Sequence, residues 1–512
     1  MNPQRLVAAW LDGRAKVGPD GALALGARRS AGLAEKLRRA YAWITEQALV
    51  VPYLDIEIGD PIEVGPEGAR ISLHRASYAS YVLLPLLCLA TSQRLLFVGA
   101  PGRGKTTMAT LMAALAGIPH DEIRALVQHG HPQLTIADLL GSPLPADLVK
   151  AEETRQIRVQ WRRWIGMRVK IIDEYNRIPT KTQSALLSLM AEGYAESFEQ
   201  VAHAGRSAWY LTANEDSGGG TFQVIEALKD RIDLVVRAPP FHSRSLDILE
   251  GRVASSRAPD ATVPADAVFT AEELDQVESE IRAVPVPPGV LEIVGFFAGQ
   301  LEFCRRASDN LELCNKDTLH LAGKKVAFVC NEDCPLDKTQ HLCTQTENGI
   351  SARALQAILL FAKALAYFRG KSAVGVDDVR QVLPFCLFDK LHKNPQSPFF
   401  QKAEHRVLLL DQKSWITRLF DQALTQHAAF GPLREAVREI RSEAESPAAS
   451  SSSAADIKRR MAKVQRTIDD VIRKADLSGL VYDDLILLKS IHDGYIRRLD
   501  AVRRIEGGTE GS

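Results

Sequence analysis

The sequence predicts an α/β fold in which a parallel sheet is sandwiched by helices and followed by an all-helical lid. Three observations predict it. The apolar run Leu95–Val98 leads directly into the glycine-rich turn Gly99-Ala-Pro-Gly-Arg-Gly-Lys-Thr-Thr107, and an apolar stretch, Met108 to Ala116, follows with the length of a helix. Across residues 76–240 apolar runs alternate with amphipathic segments, the pattern of parallel strands covered by helices. Beyond the Pro-rich joint Arg237-Ala-Pro-Pro-Phe241, residues 242–300 and 350–390 carry helical periodicity.

Each region follows from its own pattern. A chain of 512 residues has room for two to four domains. Residues 1–75 form an N-terminal extension, with a helix expected over Ala31–Val50. Short strands are expected at Tyr53–Ile58 and Ala69–Leu73, around the turn Asp60–Gly68. The α/β core spans 76–240, with strands at Leu95–Val98, Val169–Ile172, Trp209–Ala213 and Leu234–Arg237. The lid occupies 241–395 and is interrupted by a Cys-rich insertion, 304–348. A helical extension (396–441) and a Ser/Ala-rich linker (442–456) lead to a C-terminal helical hairpin over 457–506. Its helices are Ile457–Ala475 and Tyr482–Ile505, split by Ser478-Gly479, and Gly507–Ser512 are expected to be disordered.

Composition excludes some classes. Lys+Arg and Asp+Glu balance at 63 each, so no global charge draws the chain to nucleic acid or an anionic membrane. Met1–Arg14 lacks an apolar signal region, and the most apolar run, Tyr81–Ala90, is too short to span a bilayer. A cytoplasmic protein without membrane insertion is expected.

The glycine-rich turn has the chemistry of a phosphate cradle. Gly99, Gly102 and Gly104 let backbone N–H groups curl around an anion, with Pro101, Arg103 and Thr107 completing the loop. The helix beginning near Lys105 aims its positive end at the same place. Lys105 is expected to reach the β- and γ-phosphates of ATP, and Thr106 to hold Mg²⁺. Val169-Lys-Ile-Ile-Asp173-Glu174 is an apolar strand ending in two acids. Asp173 is expected to position Mg²⁺ and Glu174 to polarise the attacking water, the alternative being a solvated strand end. Asn214, closing Trp209–Ala213, suits a group that holds this water or senses the γ-phosphate; otherwise it opens the turn Glu215–Gly220. Arg231, at the end of Ala227-Leu-Lys-Asp-Arg, presents a guanidinium to a neighbouring subunit's nucleotide, or else forms an ordinary helix-end salt bridge. Arg353, opening an apolar helix after Gly349, either reaches back to the bound nucleotide from the lid or is an ordinary first-turn arginine.

Five of the seven cysteines fall between Cys304 and Cys343. Cys314, Cys330, Cys334 and Cys343, with Cys304 and His341 as substitutes, form a candidate tetrahedral Zn²⁺ set around an expected β-rich segment, Lys324–Val329. The alternative is free thiols in a loop. Cys88 and Cys386 lie in apolar helical runs and read as core. Arg155–Trp164 mixes cations with two tryptophans. It reads as an amphipathic segment facing a pore or partner, ahead of a nucleic-acid contact.

Together these motifs resemble the AAA+ superfamily and, within it, the MoxR family. The match is tightest at Ile171-Ile-Asp-Glu-Tyr-Asn-Arg-Ile-Pro-Thr-Lys-Thr-Gln-Ser-Ala-Leu-Leu187, where Tyr175 replaces the usual Ile. His131–Gly141, Gly349–Ala354 (sensor 2) and Gly370–Val379 extend it, and 150–167 falls in the helix-2 insert region. Glu215 departs from the usual Pro, and the Cys-rich insertion has no family counterpart. The resemblance implies a P-loop AAA+ core, ATP hydrolysis in a homo-oligomeric ring, expected to be a hexamer, and chaperone-like action on a protein client. A von Willebrand A domain partner and a role in metalloenzyme maturation are further implications. A nucleic-acid-directed motor or restriction-type component, and a nucleotide-gated scaffold, are the alternatives.

Overall fold

The computed structural model describes residues 15–17, 23–25, 32–49, 51–66, 70–153, 156–214, 222, 224–255, 259–330, 334–338, 341–446, 453–475 and 477–508. The turn expected over Glu215–Gly220 and residues 447–452 of the Ser/Ala-rich linker lie outside them.

Five parallel strands form the core sheet: β1 (Arg94–Val98), β2 (Val127–His129), β3 (Val169–Asp173), β4 (Ala208–Ala213) and β5 (Leu234–Arg237). Their spatial order is β5-β1-β4-β3-β2. The interior strands are near-continuous Val, Ile, Leu and aromatic runs, as a sheet covered on both faces requires. Every residue of β4 is buried. Four strands are those the sequence predicts, to within a residue; β2 at the edge is additional.

The principal helices of the core are α1 (Leu33–Trp43), α2 (Ser80–Thr91), α3 (Lys105–Leu115), α4 (Thr180–Glu192) and the short α5 (Glu226–Arg231). α2 is buried all round. It lies between the sheet and two lid helices, so an entirely apolar helix is what this position demands. The lid comprises α6 (Leu246–Ser255), α7 (Ala271–Ala283), α8 (Pro288–Glu302), α9 (Ala352–Phe368) and α10 (Val376–Cys386). One apolar cluster runs through core and lid without a break. Cys88 and Cys386 are buried in it. No single described helix is long and apolar enough to cross a membrane.

Three regions depart from expectation. In the N-terminal extension the expected turn carries a strand of its own. Ile62–Val64 pairs with Ile71–Leu73, and Ile56–Ile58 pairs with Ala76–Tyr78. In the insertion, Val326–Val329 is a helical turn and not β structure. The Glu347 carboxylate accepts the Val326 and Ala327 N–H groups at 2.9 and 3.1 Å, so a distant acid caps the turn and overrides local β propensity. At the C-terminus α11 (Gln412–Ala429) precedes α12 (Gly431–Glu445), α13 (Ala454–Ala475) and α14 (Tyr482–Gly508). The last three share one apolar cluster containing Val437, Ile440, Val464, Val471 and Leu488. The expected hairpin is therefore two helices of a three-helix bundle.

Candidate nucleotide site

Because β4 lies between β1 and β3, the three turns that leave these strands meet at one sheet edge, where α/β sheets bind ligands. Behind β1 the loop runs through positive φ at Gly99 (+143°), Gly102 (+75°) and Gly104 (+77°) and enters α3 at Lys105. Lys105 is 7% exposed, and its Nζ donates to Gly99 O (2.6 Å), Ala100 O (3.0 Å) and Asn214 Oδ1 (2.8 Å). Asn214 Nδ2 in turn donates to Glu174 Oε1 at 2.6 Å. Lysine, amide and carboxylate from three separate strand ends thus form one relay.

A second relay holds the other acid. Thr106 Oγ1 and Thr212 Oγ1 both donate to Asp173 Oδ1, at 2.8 and 2.6 Å. Thr212 also accepts the Glu174 N–H at 2.9 Å. Glu174 sits in the left-handed region at φ 54°, which turns its carboxylate out of the strand. Arg177 Nε lies 3.1 Å from Glu174 Oε2, and His129 Nδ1 3.4 Å from Asp173 Oδ2. Gly130 is obligatory here. Its N–H bonds Asp173 O, and a Cβ on it would lie 2.2 Å from Glu174 O. The Thr106 hydroxyl beside the Asp173 carboxylate is a hard-oxygen pair that fits Mg²⁺, and the loop's glycines leave its backbone open to phosphate oxygens.

Two adjoining cavities of about 460 and 160 Å³ open beside the loop. Tyr53, Tyr81, Arg103, Pro239 and Pro240 line both, and Val51, Ile248 and Leu249 add apolar surface to the smaller. Burial pushes the Tyr81 phenol far up, so it stays neutral, and its OH donates to Arg103 O. An apolar slot next to a phosphate loop suits a purine base. Of these wall residues the sequence points only to Arg103, in the phosphate loop, and it does not single out Thr212, His129 or Arg177. For Arg177 the signal was present, inside the matching Asp-Glu-Tyr-Asn-Arg run.

The two arginines lie elsewhere. Arg353 Nη1 pairs with Asp230 at 3.0 Å, and Ser351 Oγ donates to the same carboxylate. Burial opposes the charge of Asp230, but the bonds from Ser351 and Arg353 outweigh it and hold the pKa low. Arg231 Nη1 donates to Ala227 O, while its buried Nε has no hydrogen-bond partner among the described residues. Arg231 and Arg353 share a cavity of about 650 Å³ with Arg94, Arg282, Lys363 and Asp233, and no phosphate-loop residue lines it. Arg353 thus lines the same cavity as Arg231, and its pairing with Asp230 ties the first turn of α9 to the end of α5.

Two further expectations change. Trp164 is 2% exposed, donates Nε1–H to Leu139 O and packs edge-to-face on Trp209. It is a core residue with no face to offer a base. The predicted Zn²⁺ set is not assembled. Cys314 donates its thiol to Ser308 O and is buried with Phe303, Leu336 and Tyr482. Among the described residues no group of three or more His, Cys, Asp or Glu side chains is arranged to hold a metal ion.

The sheet order, the two relays and the separate helical lid define a P-loop ATPase of the AAA+ class. Residues 94–234 match a family model described as "ATPase family associated with various cellular activities (AAA)", and residues 339–407 match "AAA lid domain". Among curated proteins the chain is 24% identical over 338 residues to "Protein MoxR" of Paracoccus denitrificans, covering 64% of this chain and 86% of that one. It is 23% identical over 320 residues to the uncharacterized protein YeaC of Bacillus subtilis, covering 62% and 83%. A solved structure from Cytophaga hutchinsonii ATCC 33406 aligns with a TM-score of 0.49 at 16% identity, over 74% of this chain and 93% of that one. These matches are to AAA+ ATPases and their lid domain, with MoxR among the similar proteins.

Proposed function

We propose that this protein hydrolyses Mg-ATP in a homo-oligomeric ring, expected to be hexameric, and couples turnover to remodelling of a protein client. The observation that carries this reading is the relay Lys105–Asn214–Glu174, which ties phosphate ligand, sensor and base into one hydrogen-bonded unit. Thr106 and Asp173 would hold Mg²⁺, which neutralises charge on the β- and γ-phosphates when bound. Gly99, Gly102, Gly104 and Lys105 cradle the phosphates, with Pro101, Arg103 and Thr107 shaping the loop. Glu174 accepts the proton of the attacking water, and Asn214 orients that water. Arg231 and Arg353 act together from the adjacent subunit. In support, they share one cationic cavity that no phosphate-loop residue lines, and the buried Arg231 Nε has no hydrogen-bond partner among the described residues. A cytoplasmic setting and a von Willebrand A domain partner are part of this reading.

Glu174→Gln tests it. The amide keeps the shape and still accepts from Asn214, but it cannot take a proton. Turnover should fall on the order of 10²–10⁴-fold while ATP affinity persists. Wild-type turnover would remove Glu174 from the role of base.

A further inference from the structure

Gln183 stands in the Lys-Thr-Gln run at the start of α4, yet the proposed hydrolysis gives it no role. A glutamine amide carries donors and an acceptor, and burying it is costly unless both ends are engaged. Gln183 is fully buried, and both ends are engaged. Its Nε2 donates to Ile178 O at 2.9 Å, and its Oε1 accepts the Ile225 N–H at 3.1 Å. Ile178 closes the turn behind the acid pair, in which the Arg177 N–H donates to Glu174 O and the Ile178 N–H to Tyr175 O. Ile225 is the residue from which α5 starts. One side chain thus spans from the turn behind Glu174 to the head of the helix that carries Asp230 and Arg231. A main-chain bond from the Phe222 N–H to Asn176 O, at 2.9 Å, runs beside it.

The two ends depend on this amide unequally. The acid pair has other supports, since Thr212, Asn214 and Gly130 all bond to it. α5 is six residues long, and no side chain caps its N-terminus. The Leu228 and Lys229 N–H groups both donate to Ile225 O, so the placement of Ile225 sets the first turn and, in so short a helix, the direction of the rest. We propose that Gln183 is a positioning residue for Arg231. It fixes the head of α5 against the turn behind Glu174, and so places the arginine for the neighbouring subunit's nucleotide. This rests on the reading of Arg231 as a group that acts across the subunit boundary. A misplacement of about 1 Å in such a group costs on the order of 10²-fold in rate. The defect of a Gln183 variant therefore belongs to the neighbour's site and not to its own.

Two variants cut the tie from opposite sides. Gln183→Met keeps the bulk and removes both bonds. Ile225→Pro removes only the N–H, at a φ of −63° that proline adopts without strain. Each should lower kcat about 10- to 100-fold with KM for ATP near wild type. Mixed rings then locate the defect. Gln183→Met chains co-assembled with Glu174→Gln chains should regain activity, because an intact base meets a well-placed arginine. Co-assembled with Arg231→Ala chains they should not, because neither chain presents a well-placed arginine. Wild-type kcat in both variants would overturn the proposal. Rescue by Arg231→Ala chains would also overturn it, by placing the defect at the variant's own acid pair, and rescue by neither partner would overturn it in favour of a general loss of structure. Glu174→Gln mixed with Arg231→Ala is the control. If rings holding both of those chains gain nothing, the reading of a shared site has itself failed, and the proposal falls with it.

Discussion

Thr212→Val isolates the hydroxyl that joins the two acids of the site. Thr212 is 1% exposed at the end of β4, and valine reproduces its shape. The hydroxyl donates to Asp173 Oδ1 at 2.6 Å and accepts the Glu174 N–H at 2.9 Å. Thr106 still donates to the same carboxylate oxygen, so Asp173 keeps one partner. The Glu174 N–H loses the one shown. An unsatisfied backbone donor and a lost bond to a carboxylate together cost about 2–3 kcal/mol of stability. The larger consequence is local. Glu174 is held at φ 54°, a conformation that costs about 1–2 kcal/mol for a residue with a side chain, and the Thr212 bond offsets that cost. Without it the carboxylate relaxes away from Asn214, and turnover should fall about 10- to 100-fold, the equivalent of 1.4–2.7 kcal/mol. Steady-state ATPase kinetics, nucleotide affinity and thermal unfolding measured together read all three effects. kcat should drop with affinity nearly unchanged, and Thr212→Ser should restore most of the loss. A Thr212→Val protein with wild-type kcat, or one that loses affinity alone, would refute the reasoning.

Other perturbations reach different parts of the account. Gly130→Ala drives a Cβ to 2.2 Å from Glu174 O, so the backbone of the acid pair must shift; unfolding should show about 1–3 kcal/mol of destabilisation, and ATPase assays a matching drop in kcat. Lys170, buried in β3 with Nζ donating to Met167 O and Ala204 O, has its pKa pushed down to about 7 by burial. Between pH 7 and its ordinary range near 10.5 the unfolded chain binds the proton that the folded chain has released, so this group makes stability rise with pH in that window. Thermal melts at pH 7 and pH 9 should show that rise in wild type and a smaller one in Lys170→Met. Arg231→Ala should leave nucleotide affinity near wild type and lower turnover on the order of 10³-fold or more, read by the same kinetics.

What the sequence disclosed was geometry that a few residue types enforce. The phosphate loop was legible because Gly99, Gly102 and Gly104 permit positive φ and Lys105-Thr106 begin the helix; Asp173 and Glu174 because an apolar strand ended in two acids. Edge strand β2 was hidden because Val127–His129 is three residues long and follows directly on a seven-residue helix, His120–Leu126. Val326–Val329 looked like β structure because nothing local announces that Glu347 will cap it. The position of Arg353 depends on Asp230, 123 residues away, and so escaped any local pattern. The base slot is assembled from Tyr53, Tyr81 and the Pro239–Pro240 joint, segments whose meeting only the tertiary fold decides. The ligand set expected of the cysteines failed for the same reason, since spacing cannot say which thiols face one another.

The central claim is that each site is completed by a neighbouring subunit, and mixing two inactive variants tests it most directly. Glu174→Gln lacks the base but keeps Arg231, and Arg231→Ala has the reverse. Co-assembled at equal ratio, they should recover activity at about one quarter of the interfaces, where an intact base meets an intact arginine. ATPase activity well above either variant alone is the predicted result. A mixture no more active than its components, in rings shown to contain both chains, would contradict the account.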